Sequence, residues 1–352
     1  MAHYLSKILV LAAISLSATA VSAADLPNIN LKMIGQDSTQ NMHKQLMGPY
    51  FTKEITENSG GSVTVTYNTS DAVGLHGAEA VRLVGMGVFD IATGALSYLA
   101  GEDPRFEGMD LPGLTLDLNT QRKVSDAYKP VIAKRVEKTH NVKLVGLYPI
   151  GLEVWYCRTP ITGLKDVKGK KVRVYNVTMA DFVKAAGGST VNIPFAEVVP
   201  AMHRGVADCA LTGTSSGNTA RWWEVTNYLY NVPMGWAMQF LVANLDSWNR
   251  LDPDVRAFLE EEFATLEDKA WALMERDIQD GIDCNLGKEC KYGVKAEDPM
   301  ELVEFTAEDK ALHRKIMEEA VVKNWAGRCG KECAASWNDT IGKIVGITAT
   351  AD

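Results

Sequence analysis

The chain has 352 residues, of which 46% are hydrophobic and 23% charged, and its formal net charge is −8. This composition is ordinary for a globular protein and excludes an intrinsically disordered or collagen-like chain. The acidic balance argues against nucleic acids and anionic membrane surfaces as partners, because both attract basic patches.

The first 23 residues are expected to be a cleaved secretory signal peptide. Lys7 supplies a positive charge, residues 8–16 form a short apolar run, and small residues precede a cleavage site near Ala23–Ala24. The apolar run is shorter than the roughly 20 residues that span a membrane, and no later stretch reaches that length. The remaining chain, with a net charge of −9 once Lys7 is removed, is expected to be exported and is long enough for two domains.

Strand and helix patterns alternate along the mature chain, which predicts an α/β fold. Residues 29–35 read as a strand, a helix follows and stops at Gly60-Gly61, and residues 63–67 alternate as a second strand. Later, residues 252–282 form a long amphipathic pattern. A second helix over 306–326 opens with a Thr-x-x-Asp arrangement typical of a capping box.

Two segments about 118 residues apart share one plan: residues 78–94 and residues 196–213. In each, Ala-Glu opens a helix, a glycine follows eight residues after the glutamate, and an aspartate follows eleven after it. The glycine suits the left-handed position that ends a helix, and a short strand then runs to Thr-Gly. This internal repeat predicts two similarly built α/β domains.

Four cysteines lie in the last quarter of the chain, and export places them in an oxidising compartment. If Cys329 and Cys333 share a helix, their Cβ atoms are about 5–6 Å apart. A disulfide needs roughly 3.5–4.5 Å. We therefore expect two bridges from the Cys284/Cys290 loop to the Cys329/Cys333 segment, in an undetermined order, with a four-cysteine zinc site as the alternative.

Two further cysteines, Cys157 and Cys209, fall in predicted strands and are candidates for a third bridge. None of the usual metal-ligand spacings or phosphate-binding loops occurs, and His76 alone does not indicate a metal. No metal and no cofactor are expected.

The stretch "GTSSG" at residues 213–217 matches G-x-S-x-G, the turn that presents a nucleophilic serine. A triad of that kind needs a histidine downstream, and the one later histidine is His313, in a lysine-rich helix expected to be exposed. The following helix is expected to begin near Asn218. We interpret the stretch as a polar loop that lines a pocket; no catalytic residue is assigned, and an exported serine hydrolase is kept as an alternative.

The segment "TGLKDVKGKKVRVYN" (162–176), the following "GGSTVNIPFAEVVPAMHRGVADCA" and the earlier "LVGMGVFDIATG" resemble the DctP-like solute receptors of TRAP (tripartite ATP-independent periplasmic) transporters. The resemblance extends over most of the mature chain. It implies a two-lobed α/β clamshell of the periplasmic binding protein type, with mixed sheets flanked by helices and a long interdomain helix. Lobe I is expected over 24–150 plus about 237–283, and lobe II over 151–236 plus about 284–352, with the ligand cleft between them.

This resemblance also implies a function. The protein is expected to be a periplasmic receptor that binds a small organic acid, with an aromatic or amine-bearing acid among the options. It would deliver the acid to the small and large membrane subunits for secondary-active uptake. A monomer that is not an enzyme is expected; a receptor for an ATP-driven importer or a sensor is the alternative.

The ligand-anchoring arginine of the family falls on Arg173, and a guanidinium can bind a carboxylate with two parallel hydrogen bonds. Phe195 matches the aromatic wall residue of the family. Other cleft positions implied by the resemblance supply hydroxyl, amide or aromatic groups: Thr212, Gly213, Thr214, Trp236, Trp155, Trp222, Gln36, Ser38 and Thr93.

Glu153 stands where many members of the family carry a second arginine. Two interpretations follow from an acid at this position. Glu153 pairs with Arg173, or the ligand carries a carboxylate together with a cationic or hydrogen-donating group.

Overall fold

The computed structural model describes residues 26–75 and 77–351; the expected signal peptide and His76 lie outside them. The strands are β1 (Ile29–Gly35), β2 (Val63–Thr69), β3 (Ile91–Ala95), β4 (Val142–Tyr148), β5 (Glu153–Cys157), β6 (Lys171–Val174), β7 (Ser189–Asn192), β8 (Cys209–Gly213), β9 (Tyr228–Gly235), β10 (Gln239–Asn244) and β11 (Glu301–Val303). The helices are α1 (Ile55–Asn58), α2 (Ser70–Val73), α3 (Gly77–Gly85), α4 (Leu118–His140), α5 (Val177–Ala185), α6 (Val198–His203), α7 (Thr214–Thr219), α8 (Leu245–Arg250), α9 (Pro253–Asn285), α10 (Ala307–Ile316), α11 (Lys323–Cys329), α12 (Lys331–Trp337) and α13 (Lys343–Val345).

The strands form two mixed sheets. The first has the order β2-β1-β3-β10-β4, and the second has the order β11-β9-β5-β8-β6-β7. In the first sheet β10 runs antiparallel to its neighbours, whereas β1, β2 and β3 are parallel. The chain passes between the sheets after β4, after β9 and, by way of α9, between β10 and β11. The first two crossings contact each other where the Ile150 amide donates to the Trp236 carbonyl. This confirms the predicted two-lobed α/β fold.

The predicted long helix is present as α9, which begins after the capping carboxylate of Asp252 and has Pro253 in its first turn. This helix contacts elements of both lobes. Trp271 on its buried face donates to the Leu147 carbonyl of β4, and Gly281 lies against α7, where a Cβ would meet the Ser215 nitrogen at 2.6 Å. A large residue at 281 would separate the two helices. No helix among the described residues is long and apolar enough to cross a membrane.

The C-terminal helices also contact both parts of the molecule. Trp325 and Trp337 donate their indole hydrogens to the carbonyls of Pro104 and Gly108, which precede α4. The Arg328 guanidinium is 2.7 Å from the Asp181 carboxylate of α5, beside the second sheet. The segment after α9 therefore connects the two parts.

The disulfide prediction for the C-terminal cysteines is wrong. Cys284 pairs with Cys290 and Cys329 pairs with Cys333, so no bridge joins the two pairs. The helix assumed to carry Cys329 and Cys333 ends between them, because Gly330 adopts φ +81°. That conformation favours glycine and lets the chain bring the two sulfurs together.

The candidate third bridge is present. Cys157 and Cys209 are opposite each other on antiparallel β5 and β8, with Cα atoms 4.0 Å apart. Since the two strands are 52 residues apart in sequence, this bridge closes a long loop in the second sheet.

Replacing both Cys157 and Cys209 by alanine is expected to lower the free energy of unfolding more than replacing both Cys284 and Cys290. A disulfide stabilises the folded state by reducing the conformational entropy of the unfolded chain. This contribution is about 4 kcal/mol for a 52-residue separation and about 2 kcal/mol for a six-residue separation. Urea unfolding of the two double variants beside the parent protein measures the difference. Equal losses of unfolding free energy in the two double variants would show that stabilisation by the Cys157–Cys209 bridge does not depend on loop length.

Candidate functional site

A cavity of about 480 Å³ lies where strand ends of the two sheets meet. The first sheet contributes Thr93 and Gly94 of β3, and the second contributes Arg173 of β6 with Thr212 and Gly213 of β8. Binding sites of mixed and parallel α/β sheets form at the carboxyl ends of the strands, and this volume suits a small molecule.

The two segments that share one plan meet at this cavity. α3 leads into β3 and α6 leads into β8, and the Thr-Gly pair that ends each segment lines the cavity. The repeated segments thus place matching backbone turns on opposite sides of one site. The Thr93 hydroxyl already contacts the Tyr148 hydroxyl and donates a hydrogen bond to the Phe240 carbonyl.

Arg173 is the one cationic side chain among the described residues that line the cavity. It is 1% exposed, and its guanidinium donates to the carbonyls of Ile193 and Leu211 at 2.8 and 2.7 Å. No described carboxylate forms an ion pair with it. Its remaining nitrogen, Nη2, makes no hydrogen bond to the described residues. Burial lowers the pKa of Arg173 from its ordinary value, because removal from water disfavours the charged form.

Aromatic rings surround this guanidinium. Its Cζ lies 5.4 Å from the Tyr175 ring centre and 5.5 Å from that of Trp222, distances typical of cation–π contacts. Phe195 lines the cavity and packs against Trp222, with ring centres 5.5 Å apart. Trp222 therefore packs against both Arg173 and Phe195.

Glu153 also lines the cavity and is 1% exposed. Tyr175 donates a hydrogen bond of 2.6 Å to its Oε1, and its Oε2 is buried with no described partner. Burial, together with the nearby negative charge of Asp110, raises the pKa of Glu153 to about 8, although Tyr175 and Arg173 act in the opposite direction. Burial therefore favours the uncharged form of Glu153, and no ion pair joins its carboxyl group to Arg173 among the described contacts.

Asp110 fixes the second crossing between the sheets. Its carboxylate accepts from the backbone amides of Trp236 and Met238, on either side of Ala237, which has φ +49°. A Cβ at Gly235 would meet both Asp110 Oδ1 and Glu153 Oε2, at 2.9 and 3.2 Å. Glycine at 235 thus allows two buried carboxyl groups to flank the crossing strand.

The segment after β1 forms the other polar wall. Gln36 lines the cavity at 5% exposure, and neither atom of its amide has a hydrogen-bond partner among the described residues. Gln40, one turn further on, also lines the cavity with a buried, unpartnered Oε1. The charge of this wall comes from Asp37 alone among its described lining residues.

The structure brings seven of the twelve predicted site residues to one cavity: Gln36, Thr93, Glu153, Arg173, Phe195, Thr212 and Gly213. The other five lie outside its lining. Ser38 donates to the Asp71 carboxylate, and the Thr214 hydroxyl donates to the Ile278 carbonyl of α9.

The three tryptophans are core residues. Trp236 donates its indole hydrogen to the Thr115 hydroxyl, and Trp155 is fully buried within β5. Trp222 touches the site only through Phe195 and Arg173. Direct ligand contact by these side chains would require their core partners to be displaced.

The serine stretch does not form a nucleophile site. The helix begins at Thr214, earlier than expected, so strand and helix do flank the turn. However, Ser215 is covered by Gly281 of α9, and His313 is buried rather than exposed, with Nε2 2.8 Å from the Pro233 carbonyl oxygen. Neither residue lines the cavity, although the neighbouring Ser216 does.

Several cavity residues were missed from the sequence: Gln40, Tyr98, Ile150, Tyr175, Asn192 and Gln239. A signal existed for Tyr175, since alternate residues of a strand share a face and Arg173 is two residues earlier. Nothing comparable marked Gln239 or Asn192, which reach the cavity through the pairing of distant strands.

A buried cation, aromatic walls and unpartnered amide atoms between two α/β sheets are typical of a binding site for a small polar solute. The family model for DctP, bacterial extracellular solute-binding protein family 7, matches residues 35–327. The chain therefore belongs to the DctP family, the solute receptors of TRAP transporters, whose members are binding proteins and not enzymes.

The relatives agree with this assignment. The uncharacterized protein YiiZ of Salmonella typhimurium is 27% identical over 184 residues, 51% of this chain and 55% of that one. The C4-dicarboxylate-binding periplasmic protein DctP of Rhodobacter capsulatus is 26% identical over 234 residues, 66% and 67% of the two chains. The chain thus spans between about half and two thirds of these curated relatives.

Among solved structures, DctP7 of Bordetella pertussis, an extracytoplasmic solute receptor that binds pyroglutamic acid, superposes with a TM-score of 0.78. The two are 22% identical, and the match covers 89% of this chain and 99% of the other. At this identity the similarity establishes the fold.

Glu153→Gln is expected to flatten the fall in stability as pH rises. In the folded protein Glu153 holds its proton up to about pH 8, whereas its ordinary pKa is 4.5. The folded state therefore binds more protons in that window, and stability decreases from about pH 5 to pH 8. Asp110, whose pKa burial raises to about 6, contributes in the same direction and remains in the variant.

Thermal unfolding across this pH range measures the effect, with the exposed Glu79 replaced by glutamine as the control. The unfolding midpoint of the control should decrease as pH rises, by as much as that of the parent protein. A Glu153→Gln profile with the parent's slope would show that Glu153 is ionised in the folded state.

Proposed function

We propose that this protein is a periplasmic receptor that binds a small organic acid and delivers it to the small and large membrane subunits of a TRAP transporter. The acid occupies the cavity between the sheets, and Arg173 binds its carboxylate. Tyr98, Tyr175 and Phe195 supply aromatic surface along the lining, which suits a flat or ring-shaped ligand body.

The observation that carries this proposal is the state of the Arg173 guanidinium. It is buried, it is oriented by two backbone carbonyls, and no described acid neutralises it. A buried charge of this kind is destabilising until an anion pairs with it. The ligands named for two of the similar proteins, a C4-dicarboxylate and pyroglutamic acid, are also carboxylic acids.

Membership of the DctP family favours a TRAP transporter over an ATP-driven importer or a sensor as the recipient of the ligand. Neighbouring genes for one small and one large membrane subunit would support this choice. Genes for an ATPase and two permeases in their place would favour the importer.

The lobes that close on the ligand are proposed to be residues 24–150 plus about 237–283 and residues 151–236 plus about 284–352. Each contains one of the two sheets apart from short crossing segments, which supports the division. Closure would bury the ligand and change the surface offered to the membrane subunits, as a shift in population towards the closed state.

Arg173→Lys and Arg173→Ala are expected to abolish stabilisation by carboxylate ligands. In the parent protein, an acid at about 100 times its dissociation constant should add about 2.7 kcal/mol to the free energy of unfolding. Lysine keeps the charge but cannot form two parallel hydrogen bonds with a carboxylate. Thermal unfolding against a panel of mono- and dicarboxylic acids, with disulfides intact, measures the shift.

The exposed Arg82 replaced by alanine is the matched control and should respond to the acids as the parent does. Because Arg173→Ala leaves the Ile193 and Leu211 carbonyls without a donor, circular dichroism of the unliganded variants shows whether they are folded. A folded Arg173→Ala protein that the same acid still stabilises fully would contradict the proposal.

A further inference from the structure

The wall of the cavity after β1 carries three buried amide atoms that lack a hydrogen-bond partner among the described residues. They are both polar atoms of the Gln36 carboxamide and Oε1 of Gln40. Twelve buried side-chain polar atoms in the described chain make no hydrogen bond, two of which, Arg135 Nε and Asp181 Oδ2, lie in ion pairs. Three of the twelve belong to this pair of glutamines, and a fourth is Glu153 Oε2. One third of such atoms are therefore on three residues of one cavity.

Leaving a buried amide atom unpaired costs about 1–3 kcal/mol, so such groups in native proteins normally have a partner. Gln36 lacks a partner for both its N–H group and its carbonyl oxygen, whichever way the amide is turned. A ligand that satisfies Gln36 must both accept and donate at neighbouring atoms.

The wall that carries Arg173 has a different requirement. The guanidinium has donors only, so it requires an anionic acceptor, which is a carboxylate under the proposed function. Arg173 belongs to β6 of the second sheet, whereas Gln36 follows β1 of the first. The two groups therefore meet different parts of one ligand within about 480 Å³.

We infer that the ligand is a small carboxylic acid that also carries a cis amide, with its N–H and C=O on the same side, and that Gln36 pairs with this group. Such a group occurs in lactams, cyclic imides and primary carboxamides. It matches both atoms of a glutamine carboxamide in one plane, whereas a trans secondary amide points its N–H and C=O in opposite directions. The inference rests on the proposed function, because it assumes the carboxylate at Arg173.

Matched pairs of acids test it by titration calorimetry on the mature protein. Pyroglutamate is compared with its lactone analogue, in which oxygen replaces the ring N–H, and succinamate is compared with monomethyl succinate. In at least one pair, the amide acid is expected to bind about tenfold more tightly than the ester acid, since the ester leaves an acceptor of Gln36 unpaired. N-acetylglycine, a trans amide, should show no such advantage over acetoxyacetate.

Gln36→Leu should bring the two members of the preferred pair to similar affinity, because the amide acid loses two hydrogen bonds to Gln36 and the ester acid loses one. The exposed Gln279, on α9, replaced by leucine is the control and should keep the preference. Equal affinity within both pairs for the parent protein would overturn the inference, as would a preference that survives in Gln36→Leu.

The two proposals fail in different ways. Acids that bind in an Arg173-dependent manner, with no amide acid preferred, would leave the receptor function standing and reject the role of Gln36. If no carboxylic acid binds, or if binding does not depend on Arg173, the proposed function itself is wrong.

Discussion

The buried guanidinium of Arg173 is the interaction on which the cleft depends. A charge in a protein interior costs several kcal/mol unless hydrogen bonds and an opposite charge compensate for it. Here the second sheet supplies part of the compensation, through a carbonyl just after β7 and another on β8. Because β6 lies between these two strands, the order β8-β6-β7 is itself a requirement of the site.

The protonation of Glu153 follows from the same electrostatic balance. An ionised carboxylate at this depth would lie near both Arg173 and Asp110, and Asp110 already accepts two backbone hydrogen bonds at the crossing. Burial raises the pKa of both carboxyl groups, and the backbone hydrogen bonds that Asp110 accepts act against this rise at Asp110. An acid at the position of a usual arginine thus leaves the cleft cationic at Arg173.

The sequence predicted features that depend on local patterns and missed those that depend on one backbone angle or a distant partner. Arg173, Phe195 and the two Thr-Gly turns belong to short motifs that keep their spacing. By contrast, the Cys329–Cys333 bridge depends on φ of Gly330. His313 is buried because its ring packs against Phe182 and Phe305, and the charged residues beside it hid this face.

The two walls of the cavity require different groups on a ligand: the wall with Arg173 requires an anion, and the wall with Gln36 requires an amide under the inference above. This difference links ligand recognition to closure of the lobes. A ligand bound only by Arg173 compensates the charge of the second sheet but forms no interaction that would favour the approach of the first sheet. A ligand that also pairs with Gln36 removes an unsatisfied group from the opposite wall. If the lobes close as proposed, such a ligand would bind the closed arrangement better than the open one, and only such differential affinity can shift the population. The amide wall would then decide which acids close the receptor, while the cationic wall decides that they are acids.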